Sequence, residues 1–433
     1  MIPPPPARLA SLSPNEREAI FDALRKEHKE GFEWAEKIRR FVSVAGFRLR
    51  KEANLRFGQE ARAHLEWMKR VLFYRALQGG PAPGCPVDQA YLNALFYVHE
   101  AIERKPMDFA LRQAIAVLES WLRECEGHCP EPQPMGPLFD GLAVPWKQES
   151  PCQGVVILAP TPRSLFALLL IAVFNLLGFR PALIVIRAFS FSRFQEEWQR
   201  EGKSLLRKIW RKLILQSDEY PEKGRVSLRS LGEVFIEGPW HLGMQAQRLG
   251  IPCCTVNRFE EAIPTIAKHN GQIAIFTGGG LVNSALLQAI PRGVVNVHMG
   301  SLPSHKGMDA IFAALLEGYF GEVALTAHLM EARVDRGPVL RRFAVPAFGF
   351  RSIGHLRNEL GAMLPWLGID AVLGRVSGRL VPLDQPEAGR LYYRLHPELL
   401  AVVDRLLSIW AAKGGASSPL LPLAVMRSMM ALS

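Results

Sequence analysis

Cysteine is scarce in this chain: 433 residues carry six, Cys85, Cys125, Cys129, Cys152, Cys253 and Cys254. They are too few and too scattered for a disulfide scaffold, and they suit a reducing compartment. The first residues, MIPPPPARLASLSP, lack the charged-then-apolar layout of a secretory signal, so a cytoplasmic location is expected. No internal repeat is visible. Acidic residues are outnumbered, 41 against 52 Lys and Arg, giving a formal charge of +11. That excess favours anionic partners, such as nucleic acid, lipid headgroups or a polyanionic cofactor, without choosing among them. Hydrophobic residues at 48% and charged residues at 21% exclude a largely disordered chain, a collagen-like fibre and a coiled coil. The length suggests two or three domains.

β-Branched runs are sparse before residue 150, where apolar residues recur at helical spacing, as in Leu65, Met68, Leu72, Leu77 and in Leu92, Leu95, Val98, Ile102. Pro and Gly clusters at 79–84 and 130–132 mark breaks. A helical N-terminal domain over 1–150 is therefore expected, with no role assigned to it. From Gly154 the texture changes. GVVILAP (154–160) reads as a buried parallel strand, Ser164 to Leu177 as a helix, and ALIVIRAF (182–189) as a second strand. Strand, crossover helix and strand make a βαβ unit, so the fold class is α/β with a Rossmann-like parallel sheet. Further strands are expected at Ile251–Val256, 272–280, 293–300 and Val339–Val345. Helices are expected at Met244–Gly250, Ala262–Lys268 and Ser352–Leu373. The segment 391–433 is rich in Leu, Ala and Pro and is assigned no fold.

In an open parallel sheet, ligands bind beyond the carboxyl ends of strands. Two such ends carry unusual residues. At Gly278-Gly279-Gly280 the missing side chains let backbone approach a ligand. Asn296 and His298, two apart, share one face of a strand. An amide and an imidazole aimed at one point can polarise a carbonyl and stabilise an oxyanion. A carboxylate is then needed to orient the histidine or take a proton, and Asp335, in the stretch ARVDRGP, is the best placed. The alternative from the residues alone is a buried histidine satisfied by backbone and a turn-forming Asp before a basic residue and Gly.

At these residues the chain resembles the folate-dependent formyltransferases, which include glycinamide ribonucleotide, methionyl-tRNA and sugar-amine enzymes. The resemblance rests on NVHMGSLPSHKGMDAIFAALLEG and VDRGPVL, with RLGIPCCTVNRFEEAI and QIAIFTGGGLVNSALLQAI upstream. It is good over about residues 241–345 and absent from 1–150. It implies a catalytic domain over 151–345 and a C-terminal helical extension over 346–433. It also implies Asn296, His298 and Asp335 as the catalytic residues. Gly278, Gly279, Gly280, Leu281, Val334 and Gly337 would lie along the donor, 10-formyltetrahydrofolate, and no metal is expected. The reaction implied is formyl transfer to an amine. A noncatalytic folate- or ligand-binding module, or a hydrolase of 10-formyltetrahydrofolate, would use the same residues.

The chain departs from the family pattern beside the trio. Gly300-Ser301 stands for Ser-Leu, Lys306 for Arg, and Ala310 falls where Pro is common. These departures favour a small-molecule acceptor, a sugar amine, a nucleotide sugar or a similar metabolite. A tRNA acceptor is not expected, because 391–433 lacks aromatic-basic interleaving. Ser204–Leu215, SLLRKIWRKLIL, is basic and amphipathic, and would suit peripheral contact with an anionic membrane. A surface helix packed on the sheet is the preferred reading of it. The apolar stretch Leu165–Ile186 is long enough to suggest a membrane span of ~20 residues. Asn175, the break at Gly178–Pro181 and its place in a βαβ unit make it a buried crossover instead. Cys125, His128 and Cys129 are close together, but without the paired spacing of a structural zinc site. The oligomeric state is not legible.

Overall fold

The computed structural model describes residues 109–126, 154–188 and 226–412, except 279–281, 321–322, 346–348, 388 and 393, together with positions 92, 93, 96, 99, 190, 194 and 195. Its centre is a seven-stranded sheet. β1 (Val155–Ala159) is buried at every residue and β2 (Leu183–Arg187) at all but the last. Such strands need cover on both faces, and a crossover helix, Leu165–Leu176, supplies it on one. Ser164 starts that helix, its hydroxyl accepting the Ala167 amide at 3.4 Å. The helix is 12 residues long, and Gly178 at φ +74° follows its end. The stretch 165–186 is thus a buried crossover followed by a strand. Among the described residues no helix is long and apolar enough to cross a membrane.

β3 (Cys253–Val256), β4 (Ile273–Phe276) and β5 (Val294–Met299) run parallel to the first two strands. The short β6 (His305–Gly307) leaves the main sheet. β7 (Ala324–Leu329) and β8 (Val339–Ala344) rejoin it antiparallel, so the order is β3-β2-β1-β4-β5-β7-β8. β9 (Arg390–Tyr392) then pairs with β6 in a separate two-stranded ribbon. The sheet is therefore mostly, not wholly, parallel. β7 is invisible to sequence reading because ALTAHL buries both faces, so it shows no polar alternation.

One face of the sheet carries Phe259, Ile266 and Leu286 from short helices. The other carries Leu165–Leu176, Leu228–Phe235 and the long helix Ile353–Val376. Gly368 lets that helix sit close: a Cβ there would lie 2.6 Å from Ile275 Cδ1. The expected extension after residue 345 thus begins with a helix that shares the core of the sheet. The unassigned segment beyond 391 contains the helix Pro397–Ala412, which buries Leu399, Val402, Val403, Leu406, Leu407 and Trp410. Leu111, Leu118 and Leu122, from the helix Phe109–Glu126, join the same core, and Glu119 pairs with Arg405. No group of three metal-ligating side chains occurs among the described residues. The segment 204–215, Cys85, His128, Cys129, Cys152 and the side chain of Cys125 lie outside them.

Asp370, on the long helix, is fully buried between two arginines. Arg341 of β8 stands at 3.1 Å and Arg379 at 2.6 Å. Removing the carboxylate leaves cations facing a site that water does not reach. Asp370→Ala is expected to lower unfolding free energy by about 3–5 kcal/mol in urea titrations.

Candidate active site

β5 places Asn296 and His298 on one face, opposite the face whose Val295 and Val297 pack into the helical core. Register with antiparallel β7 sets Asn296 across from His328 and His298 across from Thr326. The loop between β7 and β8 folds back over these residues. Asp335 sits in it at φ +52°, a left-handed conformation that Asp tolerates better than most residues. Gln385 Nε2 braces the loop, donating to the carbonyls of Gly337 at 2.6 Å and Asp335 at 3.2 Å.

Asp335, far from Asn296 and His298 in sequence, is thereby brought against them. His298 Nδ1 is 3.4 Å from Asp335 Oδ2, and the same oxygen accepts the Gly307 amide at 2.8 Å. His298 Nε2 faces the His305 carbonyl at 3.1 Å. Both ring nitrogens of His298 thus meet acceptors, so its neutral form satisfies one at a time.

Sequence reasoning missed His328. Its Nδ1 faces the Leu329 carbonyl at 2.8 Å, which places the neutral ring's proton there. Nε2 then accepts from Asn296 Nδ2 at 3.2 Å, while Asp335 Oδ1 stands 3.5 Å away. A second proton on Nε2 would turn this nitrogen toward Asp335 as a donor. The available signal was the Thr326-x-His328 spacing, the same as Asn296-x-His298, but no strand was assigned there.

The electrostatics separate the acid from the base. Burial holds the His298 imidazole below its ordinary range, and His328 and His305 push the same way. Asp335 and the His305 carbonyl oppose them only in part. For Asp335 burial acts upward. The hydrogen bond from His328, the charges of His298 and His328, and the Gly307 amide outweigh it, so the carboxyl lies below its usual range. Near neutral pH the site holds an ionised Asp335 against a neutral His298. A pair tuned in this way can orient a ring, donate to a developing oxyanion and take up a proton.

The residues expected along a donor divide. Gly278, at φ +105°, borders open space, with nothing within 4 Å of where a Cβ would stand. Val334 is 44% exposed in the Asp335 loop. Gly337 answers a need of the loop instead, because a Cβ there would collide with the Leu329 carbonyl. Gly279, Gly280 and Leu281 lie outside the described residues. Two departures from the family pattern gain a physical setting. Any side chain at Gly300 would run into His298 Nε2. Lys306 is buried, and burial, with Arg336 beside it, lowers its ammonium pKa against the pull of Asp335 and Glu387.

The stretch of chain that holds this geometry is similar to known proteins. Residues 257–368 match the family model described as formyl transferase. The chain is 35% identical to the methionyl-tRNA formyltransferase of Dinoroseobacter shibae over 133 residues, 30% of this chain and 44% of that protein. It is 32% identical to that of Roseobacter denitrificans over 179 residues, 41% of this chain and 58% of that one. The chain thus spans about half the length of the curated relatives it matches. Glycinamide ribonucleotide transformylase 1 from Symbiobacterium toebii aligns over 57% of this chain and 96% of its own, at 17% identity and a TM-score of 0.36.

These relatives correct the expected partner. A small-molecule amine, with tRNA set aside, conflicts with curated relatives named for methionyl-tRNA. The expectation leaned on the Leu- and Ala-rich tail. Through residue 412 that composition serves core packing of the Pro397–Ala412 helix and carries no information about the acceptor.

Because the folded pKa of His298 is depressed, its neutral form stabilises the fold fully above the unfolded value of about 6.5. That contribution is lost as pH falls below it. Urea midpoints of the wild type are expected to drop between about pH 7 and 5 more steeply than those of His298→Gln; parallel slopes would contradict the burial argument.

Proposed function

We propose, for a chain whose residues 257–368 belong to the formyl transferase family, that it moves the formyl group of 10-formyltetrahydrofolate to the amine of an aminoacyl-tRNA, methionyl-tRNA first. The observation that carries the reading is the cluster of buried His298 with half-buried Asn296 and Asp335 inside the matched residues. The curated relatives support the acceptor by name.

The donor supplies an activated formyl carbon. Asn296 and His298 present N–H groups to the formyl oxygen as the amine nitrogen bonds to that carbon and the carbonyl π pair moves onto oxygen. To do so, Asn296 gives up its contact with His328, and His298 exchanges the His305 carbonyl for the new oxyanion. Asp335, already ionised, accepts the proton that the attacking nitrogen sheds, and as a carboxylic acid it then donates to His298 Nδ1. When the oxygen pair returns, the bond from the formyl carbon to the donor nitrogen breaks. That nitrogen then takes the proton back, so atoms and charge balance. Burial serves each step, since a hydrogen bond to developing charge is worth more away from water. Gly278 and Val334 are the described residues best placed to border the donor.

The test incubates purified full-length protein with formyl-labelled 10-formyltetrahydrofolate and charged methionyl-tRNA. Label is expected on the methionyl amine. His298→Ala, Asn296→Ala and Asp335→Ala should each lower kcat/KM by about 100-fold or more. Formate released without acceptor would instead mark a hydrolase. Donor binding without turnover would mark a noncatalytic module.

A further inference from the structure

Two backbone groups of β6 hold the site. The Gly307 amide donates to Asp335 Oδ2 at 2.8 Å, and the His305 carbonyl faces His298 Nε2 at 3.1 Å. β6 has only three residues, far too few to hold their own geometry, and its strand partner is β9. His305, Lys306 and Gly307 pair with Arg390, Leu391 and Tyr392. The Met308 amide extends the ribbon to the Tyr392 carbonyl at 2.9 Å. Gly307, at φ +89°, is pressed so closely that a Cβ would collide with that same carbonyl.

Side chains lock the ribbon. The rings of His305 and Tyr392 stack with centroids 5.2 Å apart at 15°. The Tyr392 hydroxyl donates to Glu317 Oε2 at 2.5 Å, and that oxygen stands 3.4 Å from His305 Nε2. Just beyond β9 the Leu395 amide donates to Asp309 Oδ2 at 2.9 Å, and Asp309 pairs with Arg357 of the long helix. The final tie comes from some 300 residues earlier. Buried Asn93 donates from Nδ2 to the Arg394 carbonyl at 3.1 Å and accepts the His396 amide at 2.6 Å. Phe96, one helical turn on, stacks on His396 at 5.1 Å and 14°.

We propose that residues 390–392 and 394–396 form a strap that sets the spacing of His298 and Asp335, with Tyr392 and Asn93 as its positioning residues. The strap has a function in catalysis on the reading given above, but its geometry does not depend on that reading. It gives the N-terminal part of the chain a physical hold on the site: Asn93 fixes 394–396, these fix β9, β9 fixes β6, and β6 fixes Asp335 and His298. The contacts of Asn93 and Tyr392 themselves lie away from the groups that would react. Loosening the strap withdraws the Gly307 amide from Asp335 and admits water to His298. Both changes raise the pKa of the group concerned, and because burial is the largest influence on His298 its relief outweighs the loss of the His305 carbonyl, so the acid limb of activity moves to higher pH. The other groups around the pair are His328 from β7, His305 and Lys306 from β6, Arg336 from the loop and Glu387 before β9. They remain in every variant.

The experiment compares full-length wild type, Asn93→Ala, Asn93→Asp and Tyr392→Phe. Asn93→Asp keeps the acceptor for the His396 amide, and Tyr392→Phe keeps the stacked ring while losing the hydroxyl. The first readout is the titration of His298 in protein labelled at histidine, followed by NMR and assigned with His298→Gln. Asn93→Ala and Tyr392→Phe should raise the His298 midpoint by about half a pH unit or more, with Asn93→Asp between them and wild type. The second readout is formyl transfer, where kcat should fall about tenfold with the donor KM within about twofold. If Asn93→Ala fails to fold, Tyr392→Phe decides. A folded variant whose His298 titrates with the wild type overturns the strap. A shifted titration with no transfer by any protein, wild type included, upholds the strap and refutes the formyltransferase reading instead.

Discussion

A buried carboxylate is the costliest group in this site, and the way Asp335 is stabilised organises everything near it. Desolvation alone would keep its proton on. Three elements prevent that: β6 gives a backbone amide, β5 gives His298, and β7 gives His328. β5 and β6 follow one another in the chain, but β7 and the Asp335 loop come later, so the site forms only once the antiparallel half of the sheet has closed on the parallel half. The backbone also contributes, because the left-handed Asp335 costs on the order of 1 kcal/mol and persists only where surroundings impose it. Gln385 holds the carbonyls of Asp335 and Gly337.

Close approach is the second requirement, and glycine meets it at two places that differ in kind. Gly300 keeps the space beside His298 Nε2 clear, so its role is to leave an imidazole where the strand puts it. Gly307 brings two backbones together, and its positive φ suits the turn whose amide faces Asp335. A substitution at Gly300 would press directly on His298, and one at Gly307 would displace the amide that faces Asp335. The departure from the family pattern at 300 thus has a consequence for the geometry of the trio and is not confined to its surroundings.

Much of the parallel half could be read from residue pattern. Uniform apolar runs such as VVILA and IAIF, bounded by Gly and Pro, have few alternatives at that length. The meeting of Asn296, His298 and Asp335 was anticipated because alternation fixes the first two on one face, their chemistry calls for a carboxylate that the stretch around Asp335 offers, and the resemblance implied the same three. β7 was not legible, since a strand buried on both faces within a mixed sheet carries no alternation. His328 was lost with it. β6 and β9 were hidden for another reason. Strands of three residues carry no periodic signal, and their pairing spans more than eighty residues of chain. The acceptor was misread because Leu-rich composition near the C-terminus was weighed as a sign about ligands when it belonged to the core.

The chemistry assigned to the trio is indifferent to what carries the amine. An oxyanion on the formyl carbon and a proton leaving nitrogen have the same charge and the same geometry for any primary amine, so on the proposed reading Asn296, His298 and Asp335 would serve all acceptors alike. Selectivity must then come from residues that touch the acceptor away from the reacting atoms. The fold keeps these duties apart. The trio is enclosed among β5, β6 and β7, and its spacing answers to the strap at 390–392 and 394–396 and, through Asn93, to the N-terminal part of the chain. A change in acceptor preference therefore requires no change in the trio. A change in the strap, by contrast, alters turnover of every acceptor equally. This separation is the physical basis on which one catalytic core, attached to different flanking segments, can act on unlike amines.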